Sequence, residues 1–140
     1  MIIPFLDLKA QYSSIKEEIH PKIEEVCENT VFSDGPYVWN FEKNFAKYCS
    51  MEYAVAVNSG TSALHLAMIV LGIEKGDDVI IPANTFIATA WGPSYVGATP
   101  VFVDCDPDTW QIDPRKIKKK ITDKTKAIIG VHLYGQPFDI

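Results

Sequence analysis

Short apolar runs alternate with helix-like segments along the chain after residue 50, and this alternation constrains the fold more than any other feature. The apolar, β-rich runs cover residues 54–57, 78–81, 100–103 and 127–133. Between them lie a helix-like segment that begins at Thr61 and ends at Gly72, a segment over 86–95 and a basic segment over 114–121. Parallel strands need a crossover element between them, usually a helix. The alternation therefore predicts an α/β fold with a mainly parallel sheet and flanking helices.

The first fifty residues carry a different pattern, in which apolar side chains recur every three or four positions. The first such stripe consists of Ile15, Ile19, Ile23 and Val26. It predicts an amphipathic helix over 14–31, which Pro21 bends or splits, and a second stripe predicts a helix over 38–48. We therefore expect a helical segment over about residues 1–50 and an α/β portion over about 51–140.

Composition argues against several classes of partner and location. The chain has 13 basic and 18 acidic side chains, whereas nucleic-acid binding normally needs a basic face. The basic run over 115–120 is spaced by isoleucines and is typical of a solvated helix face. No run approaches the roughly 18 apolar residues of a membrane span, and we expect no signal peptide. Cys27, Cys49 and Cys105 are widely spaced and fit reduced thiols, so a cytoplasmic location is expected.

Common nucleotide and metal motifs do not occur in the sequence. It contains neither G-x-G-x-x-G nor the P-loop pattern, and no H-E-x-x-H. The three histidines, His20, His65 and His132, fall in different predicted elements, so we expect no metal site. Asp104 and Asp106 leave a predicted strand in a setting that favours a turn over a catalytic carboxylate pair.

A small polar cluster interrupts the apolar pattern in the stretch "VNSGTSALHLA", residues 57–67. Ser59, Thr61 and Ser62 are good N-cap residues, so the cluster can simply begin a helix. The same first-turn amides and the positive end of the helix dipole can also bind an anion, and Gly60 lets a phosphate approach the backbone closely. The pattern alone leaves both interpretations open.

A second stretch, "IIPANTFIATA" over residues 80–90, follows another predicted strand. Ligands of α/β folds bind at the carboxyl ends of the strands, and both 58–62 and 83–86 follow such ends. Phe86 is therefore either an ordinary core residue or an aromatic ring that stacks on a flat heteroaromatic ligand held by its phosphate at Gly60.

Six stretches in order resemble one known family. They are "FLDLKAQY", "SDGPYVWNFEKNFAKY", "NSGTSALHLA", "IIPANTFIATA", "GATPVFVDCDPDTWQID" and "VHLYGQP", which together span residues 5–137. They resemble the DegT/DnrJ/EryC1/StrS family of pyridoxal-phosphate-dependent sugar aminotransferases, of aminotransferase fold type I. The opening is most similar to members that install a 3-amino group on a dTDP-3-keto-6-deoxyhexose.

The resemblance implies roles for seven residues. Gly60, Thr61 and Ser62 would hold the phosphate of pyridoxal 5'-phosphate (PLP), and Phe86 would stack on its pyridine ring. Asp34, Gly35 and Asn84 would lie near the entrance for the sugar nucleotide. The resemblance further implies a nucleotide-linked keto-sugar as substrate, glutamate as amino donor and a homodimer whose active sites are shared across the interface.

The family's Schiff-base lysine, in an F-x-P-x-K-like segment, and the aspartate that pairs with the ring nitrogen would both follow the segment matched by Gln136 and Pro137. No lysine here has that context. We therefore expect a truncated chain that forms the N-terminal portion of the large domain, contains no catalytic residue of its own and is inactive alone. Two alternatives stay open: a sugar dehydratase of the same superfamily, with histidine in place of the lysine, and a non-catalytic phospholigand-binding module.

These considerations give three structural predictions. Thr61 and Ser62 should lie in the first turn of a helix that runs to about Leu71. The strands 78–81, 100–103 and 127–132 should share one sheet, with 78–81 in the centre. By the resemblance, the strand at 54–57 should pair with none of these three.

Overall fold

The computed structural model describes residues 5–139. Its helices and strands are, in chain order, α1 (Leu8–Asn29), α2 (Pro36–Tyr48), α3 (Gly60–Val70), β1 (Asp78–Pro82), α4 (Ala88–Tyr95), β2 (Thr99–Val103), α5 (Pro114–Lys118) and β3 (Thr125–Ile128), with a 3₁₀ turn at Leu133–Gly135. The chain divides into two compact units, Met1–Ala56 and Val57–Ile140. None of the helices within residues 5–139 combines the length and the apolar character that crossing a membrane requires.

The first unit contains α1 and α2, the two helices that the apolar spacing predicts. The Asp7 carboxylate begins α1 by accepting the N–H of Ala10 at 2.9 Å, and Thr30 ends it in a left-handed conformation. Pro21 lies inside α1 and does not split it, so of the two predicted effects, a bend or a split, the split is wrong. The reason is that a 22-residue helix loses only the one hydrogen bond that the proline nitrogen cannot donate.

Residues 54–57 are an irregular segment and not the predicted strand. A strand exists only where a neighbouring strand accepts and donates its backbone hydrogen bonds, and no described residue supplies one. Instead, the N–H of Ala56 donates to Glu42 Oε1 at 2.8 Å. The companion prediction, that this run pairs with none of the other three strands, is confirmed for the described part of the chain.

The second unit is built on a three-stranded parallel sheet in the order β2-β1-β3, as predicted. The pairing of β1 with β2 runs from Asp78 opposite Thr99 to Pro82 opposite Val103. β3 is shorter than the predicted 127–132 and begins two residues earlier. After Ile128 the chain leaves the ladder at Gly130, which has no side chain to pack on the sheet and lies against the ring of Phe138.

β1 is the buried centre of this unit, because its Val79, Ile80 and Ile81 are fully buried and cover both faces of the sheet. On one face lies a cluster of Met68, Ile73, Val79, Ile81, Ala90 and Ala98, and on the other a cluster of Ile80, Val103 and Ile112. A strand that is apolar on both faces is typical of a parallel sheet covered on two sides. This core fixes α3 and α4 on one side and the 104–113 loop on the other.

An acidic and basic network begins α5. Asp113 is buried, accepts the N–H of Arg115 at 2.9 Å and pairs with the Arg115 guanidinium at 3.0 Å. The same guanidinium reaches Asp106 at 2.8 Å, and Lys116 reaches Asp104 at 2.8 Å. The hydrogen bond from Arg115 lowers the pKa of Asp113, and the hydrogen bond from Lys116 lowers the pKa of Asp104. Asp104 and Asp106 therefore hold the loop between β2 and α5 through these ion pairs, in line with the predicted turn.

This network predicts a loss of stability in acid. Because both carboxylates have a pKa below that of the unfolded chain, their contribution is present above about pH 4 and is lost as the pH falls through their folded-state values. The free energy of unfolding, measured by denaturant titration between pH 7 and pH 3, should decline below about pH 4. Asp113→Asn should flatten this decline and Asp123→Asn, in the loop before β3, should not. An identical pH profile for Asp113→Asn and the unaltered chain would contradict the assignment.

Candidate functional site

The first turn of α3 contains three of the predicted site residues, Gly60, Thr61 and Ser62. The predicted helix is confirmed and ends at Val70. Ser59 is its N-cap, and its Oγ accepts the N–H of Ser62 at 3.1 Å. This hydrogen bond satisfies the third amide of the turn. Within residues 5–139 the N–H groups of Gly60 and Thr61 have no hydrogen-bond acceptor.

The helix-capping and anion-binding interpretations are therefore compatible, because the cap uses one amide and leaves two without an acceptor at the positive end of the helix dipole. A Cβ built on Gly60 would have no atom within 4 Å, so the backbone there is open to a ligand. The hydroxyl of Ser62 accepts from Ser59 Oγ at 3.1 Å and keeps its own proton to donate. Two amides and the hydroxyls of Thr61 and Ser62 form a donor set that fits a phosphate.

Phe86 follows β1 and has 70% of its surface exposed, so it is not the core residue that one interpretation of the sequence allowed. Its carbonyl accepts the N–H of Thr89 at 3.0 Å, which places Phe86 at the beginning of α4. The ring meets Trp91 edge to face, with centroids 6.4 Å apart. Trp91 therefore supports the Phe86 ring, and most of the surface of that ring stays accessible to a stacked ligand.

The packing of α3 on α4 connects the two parts of the site. Gly92 of α4 lies so close to α3 that a Cβ there would be 3.1 Å from Leu64 Cβ. His65 of α3 meets Tyr95 of α4 edge to face, with ring centroids 5.2 Å apart. The α3 amides and the Phe86 loop are therefore carried by one packed pair of helices.

Asn84 lies in the same loop as Phe86, and its side chain is exposed. Its Nδ2 donates to the carbonyl of Trp110 at 3.4 Å, which ties the loop after β1 to the loop after β2. Asn84, Phe86 and the first turn of α3 all belong to the second unit.

Asp34 and Gly35 belong to the first unit, in the turn before α2. Asp34 accepts the indole N–H of Trp39 at 3.0 Å. Gly35 has a φ of +87°, and a Cβ there would lie 2.9 Å from Val31 Cγ1. Both residues thus have local structural roles that explain their presence in this turn.

Sequence reasoning missed the side chains that connect the loops at the carboxyl edge of the sheet. Gln111 is buried, its Nε2 donates to the carbonyl of Leu133, and its Oε1 accepts the N–H of Leu133, each at 3.3 Å. These two residues are 22 positions apart, and no local pattern connects them.

Comparisons with known proteins agree with this fold. The DegT/DnrJ/EryC1/StrS aminotransferase family matches residues 13–140. The chain is 49% identical over 119 residues to GDP-perosamine synthase of Escherichia coli O157:H7, covering 84% of this chain and 33% of the relative. It is 45% identical to dTDP-3-amino-3,4,6-trideoxy-alpha-D-glucose transaminase of Streptomyces venezuelae, covering 99% of this chain and 36% of the relative.

The crystal structure of NtdA from Bacillus subtilis with bound cofactor PMP superimposes with a TM-score of 0.89 at 40% identity, covering 98% of this chain and 32% of that one. This similarity confirms the fold that the resemblance implied. The chain spans about a third of the length of each of these relatives. With the family match over nearly its whole length, the chain belongs to the DegT/DnrJ/EryC1/StrS aminotransferase family.

Proposed function

We propose that residues 1–140 form the N-terminal part of a PLP-dependent enzyme that transfers an amino group from glutamate to a nucleotide-linked keto-deoxysugar. The observation that carries this proposal is the first turn of α3, where the amides of Gly60 and Thr61 have no acceptor within the described residues and a Cβ on Gly60 would meet no atom within 4 Å. The two sugar-nucleotide relatives and the PMP-bound neighbour support the substrate class and the cofactor. On this proposal both compact units belong to one large domain of a homodimeric cytoplasmic enzyme.

Phosphate binding is the first task of this chain. The amides of Gly60 and Thr61 donate to the phosphate oxygens, and the hydroxyls of Thr61 and Ser62 add two further donors. Hydrogen bonds to a charged group each contribute about 1.5–3 kcal/mol. The dipole of α3 adds attraction for the dianion at the same point. The absence of a Cβ at Gly60 lets the phosphate reach the backbone.

Orientation of the cofactor ring is the second task. Phe86 would hold the pyridine ring by stacking on it, and Trp91 packs edge to face against Phe86. With the phosphate at α3 fixed, this contact sets the direction of the ring. When bound, PLP supplies an electron-poor ring that stabilises negative charge on the substrate carbon during proton transfer. The carrier of that proton in this family is the lysine of the F-x-P-x-K-like segment, so residues 1–140 bind and orient without performing the transfer.

The roles of Asp34, Gly35 and Asn84 at the sugar-nucleotide entrance are also part of this proposal. The hydrogen bonds that Asp34 and Asn84 already make define which of their atoms can still bind a sugar nucleotide. Asp34 Oδ1 is occupied by Trp39, so Oδ2 is the oxygen left for a sugar hydroxyl. The carbonyl oxygen of the Asn84 amide is the corresponding acceptor in the second unit, because its Nδ2 is directed to Trp110.

The test follows the amino group itself. The full-length enzyme is supplied with PLP, nitrogen-labelled glutamate and a dTDP-linked 3-keto-6-deoxyhexose, and the sugar product is analysed by mass spectrometry. We expect the label in an amine that replaces the keto oxygen, with 2-oxoglutarate formed in equal amount. Loss of a sugar hydroxyl without uptake of label would overturn the proposal in favour of a dehydratase. Failure to bind PLP would overturn it in favour of a phospholigand-binding module.

A further inference from the structure

The loops that follow the three strands are joined to each other by amide side chains. Parallel strands place their carboxyl ends at one edge of the sheet, which is the ligand-binding edge of open α/β folds. Asn84, after β1, donates to the carbonyl of Trp110, after β2. Gln111, after β2, exchanges two hydrogen bonds with the peptide groups of Leu133, after β3. The Gln111 pair thus joins the loops of the two outer strands.

Gln111 is a specific connector because only 5% of its surface is exposed. Buried amide side chains are normally hydrogen-bonded. In Gln111 both the amide nitrogen and the amide oxygen bond to the backbone of one residue, Leu133. Replacing it by an apolar side chain would leave the N–H and the carbonyl of Leu133 without these partners. Because Gln111 joins the loops after β2 and β3, it also holds the backbone of the adjoining residues, Trp110 and Tyr134.

Each end of this pair adjoins an exposed aromatic residue in a left-handed backbone conformation. Trp110 precedes Gln111, with φ at +60° and 63% of its surface exposed. Tyr134 follows Leu133, with φ at +54° and 95% of its surface exposed. A left-handed conformation costs a non-glycine residue roughly 1–2 kcal/mol. Burial of the two rings does not offset this cost, and backbone strain of this kind is concentrated at functional sites.

We propose that Gln111 is a positioning residue that presents two exposed aromatic rings, Trp110 and Tyr134, for stacking on the nucleobase of the nucleotide-linked sugar. This proposal rests on the proposed function above and deepens it by naming the part of the chain that contacts the base. Stacking on aromatic rings contributes about 1–3 kcal/mol per base and accepts any base, because every base has a π face. Such a surface suits a fold whose relatives are named for GDP-linked and dTDP-linked sugars.

The experiment measures the affinity of the full-length enzyme for dTDP-glucose, which has no keto group to react, and for glucose 1-phosphate, which has no base. Trp110→Ala and Tyr134→Ala should each weaken dTDP-glucose binding by roughly 5- to 100-fold and leave glucose 1-phosphate binding unchanged. Gln111→Leu should weaken dTDP-glucose binding to a similar degree although both rings are still present. Tyr53→Ala removes a similarly exposed tyrosine ring from the first unit and is the matched control, which should change neither affinity.

Two results would overturn the inference. One is a Tyr134→Ala enzyme with unaltered dTDP-glucose affinity, which is decisive even if Gln111→Leu fails to fold, since the exposed Tyr134 ring contributes little to the core. The other is equal weakening for dTDP-glucose and glucose 1-phosphate, which would assign the surface to the sugar. An enzyme that shows Tyr134-dependent dTDP-glucose binding but no amino transfer refutes the proposed function alone. Amino transfer with Tyr134-independent binding refutes this inference alone.

Discussion

The Gly60→Ala enzyme is expected to bind PLP about 10- to 100-fold more weakly than the unaltered enzyme while keeping its fold. The added methyl group would meet no protein atom within 4 Å, so the protein itself does not oppose the substitution. Alanine is also the better helix former, and stability should be unchanged or raised by up to about 1 kcal/mol. The methyl group would, however, stand where the phosphate has to approach the amides of Gly60 and Thr61.

Titration of the cofactor-free, full-length enzyme with PLP, followed by absorbance, gives the affinity, and thermal unfolding without cofactor gives the stability. Ala67→Ser is the control, because it adds an atom at an exposed position of α3 about two turns from its N-terminus. It should alter neither quantity appreciably. Unaltered PLP affinity in the Gly60→Ala enzyme would show that the phosphate lies elsewhere.

Gly130→Ala should destabilise the fold by about 1–3 kcal/mol, the usual range for overpacking. A Cβ on Gly130 would overlap the ring of Phe138, which packs on the cluster of Ile80, Val103 and Ile112. Either the ring leaves this cluster or the end of β3 moves away from the sheet. Denaturant titration of the unaltered chain and the variant measures the difference in the free energy of unfolding.

A double-mutant cycle shows whether this overlap is the cause. Phe138→Leu removes most of the ring, so Gly130→Ala should cost much less in that background than in the unaltered chain. Equal costs in the two backgrounds would mean that the ring of Phe138 does not occupy the space beside Gly130.

The features that could be predicted from the sequence are those that depend on residues close together along the chain. The start of α3 was predictable because Ser59, Thr61 and Ser62 are capping residues placed directly before an apolar helical pattern. The α/β class followed from the alternation of short apolar runs and helices, and the central position of 78–81 agrees with its fully apolar character. The family resemblance supplied the cofactor and the order of the strands.

Features that depend on distant partners were not predictable. Residues 54–57 have a β-rich composition, but whether they form a strand depends on a neighbour that the described chain does not supply. The exposure of Phe86 depends on tertiary packing, because an aromatic residue among apolar residues gives the same pattern in a core or at a surface. The two hydrogen bonds between Gln111 and Leu133 form only when the loops after β2 and β3 meet at the edge of the sheet.

Phosphate binding by the first turn of α3 is tested most simply by comparing PLP with pyridoxal, which lacks the phosphate. The ratio of the two affinities, measured by titration of the full-length enzyme, isolates the contribution of the phosphate. We predict that the unaltered enzyme binds PLP at least 100-fold more tightly than pyridoxal, as two or more charge-assisted hydrogen bonds require, and that Gly60→Ala reduces this ratio by about 10-fold or more. A ratio that is the same in both enzymes would contradict it.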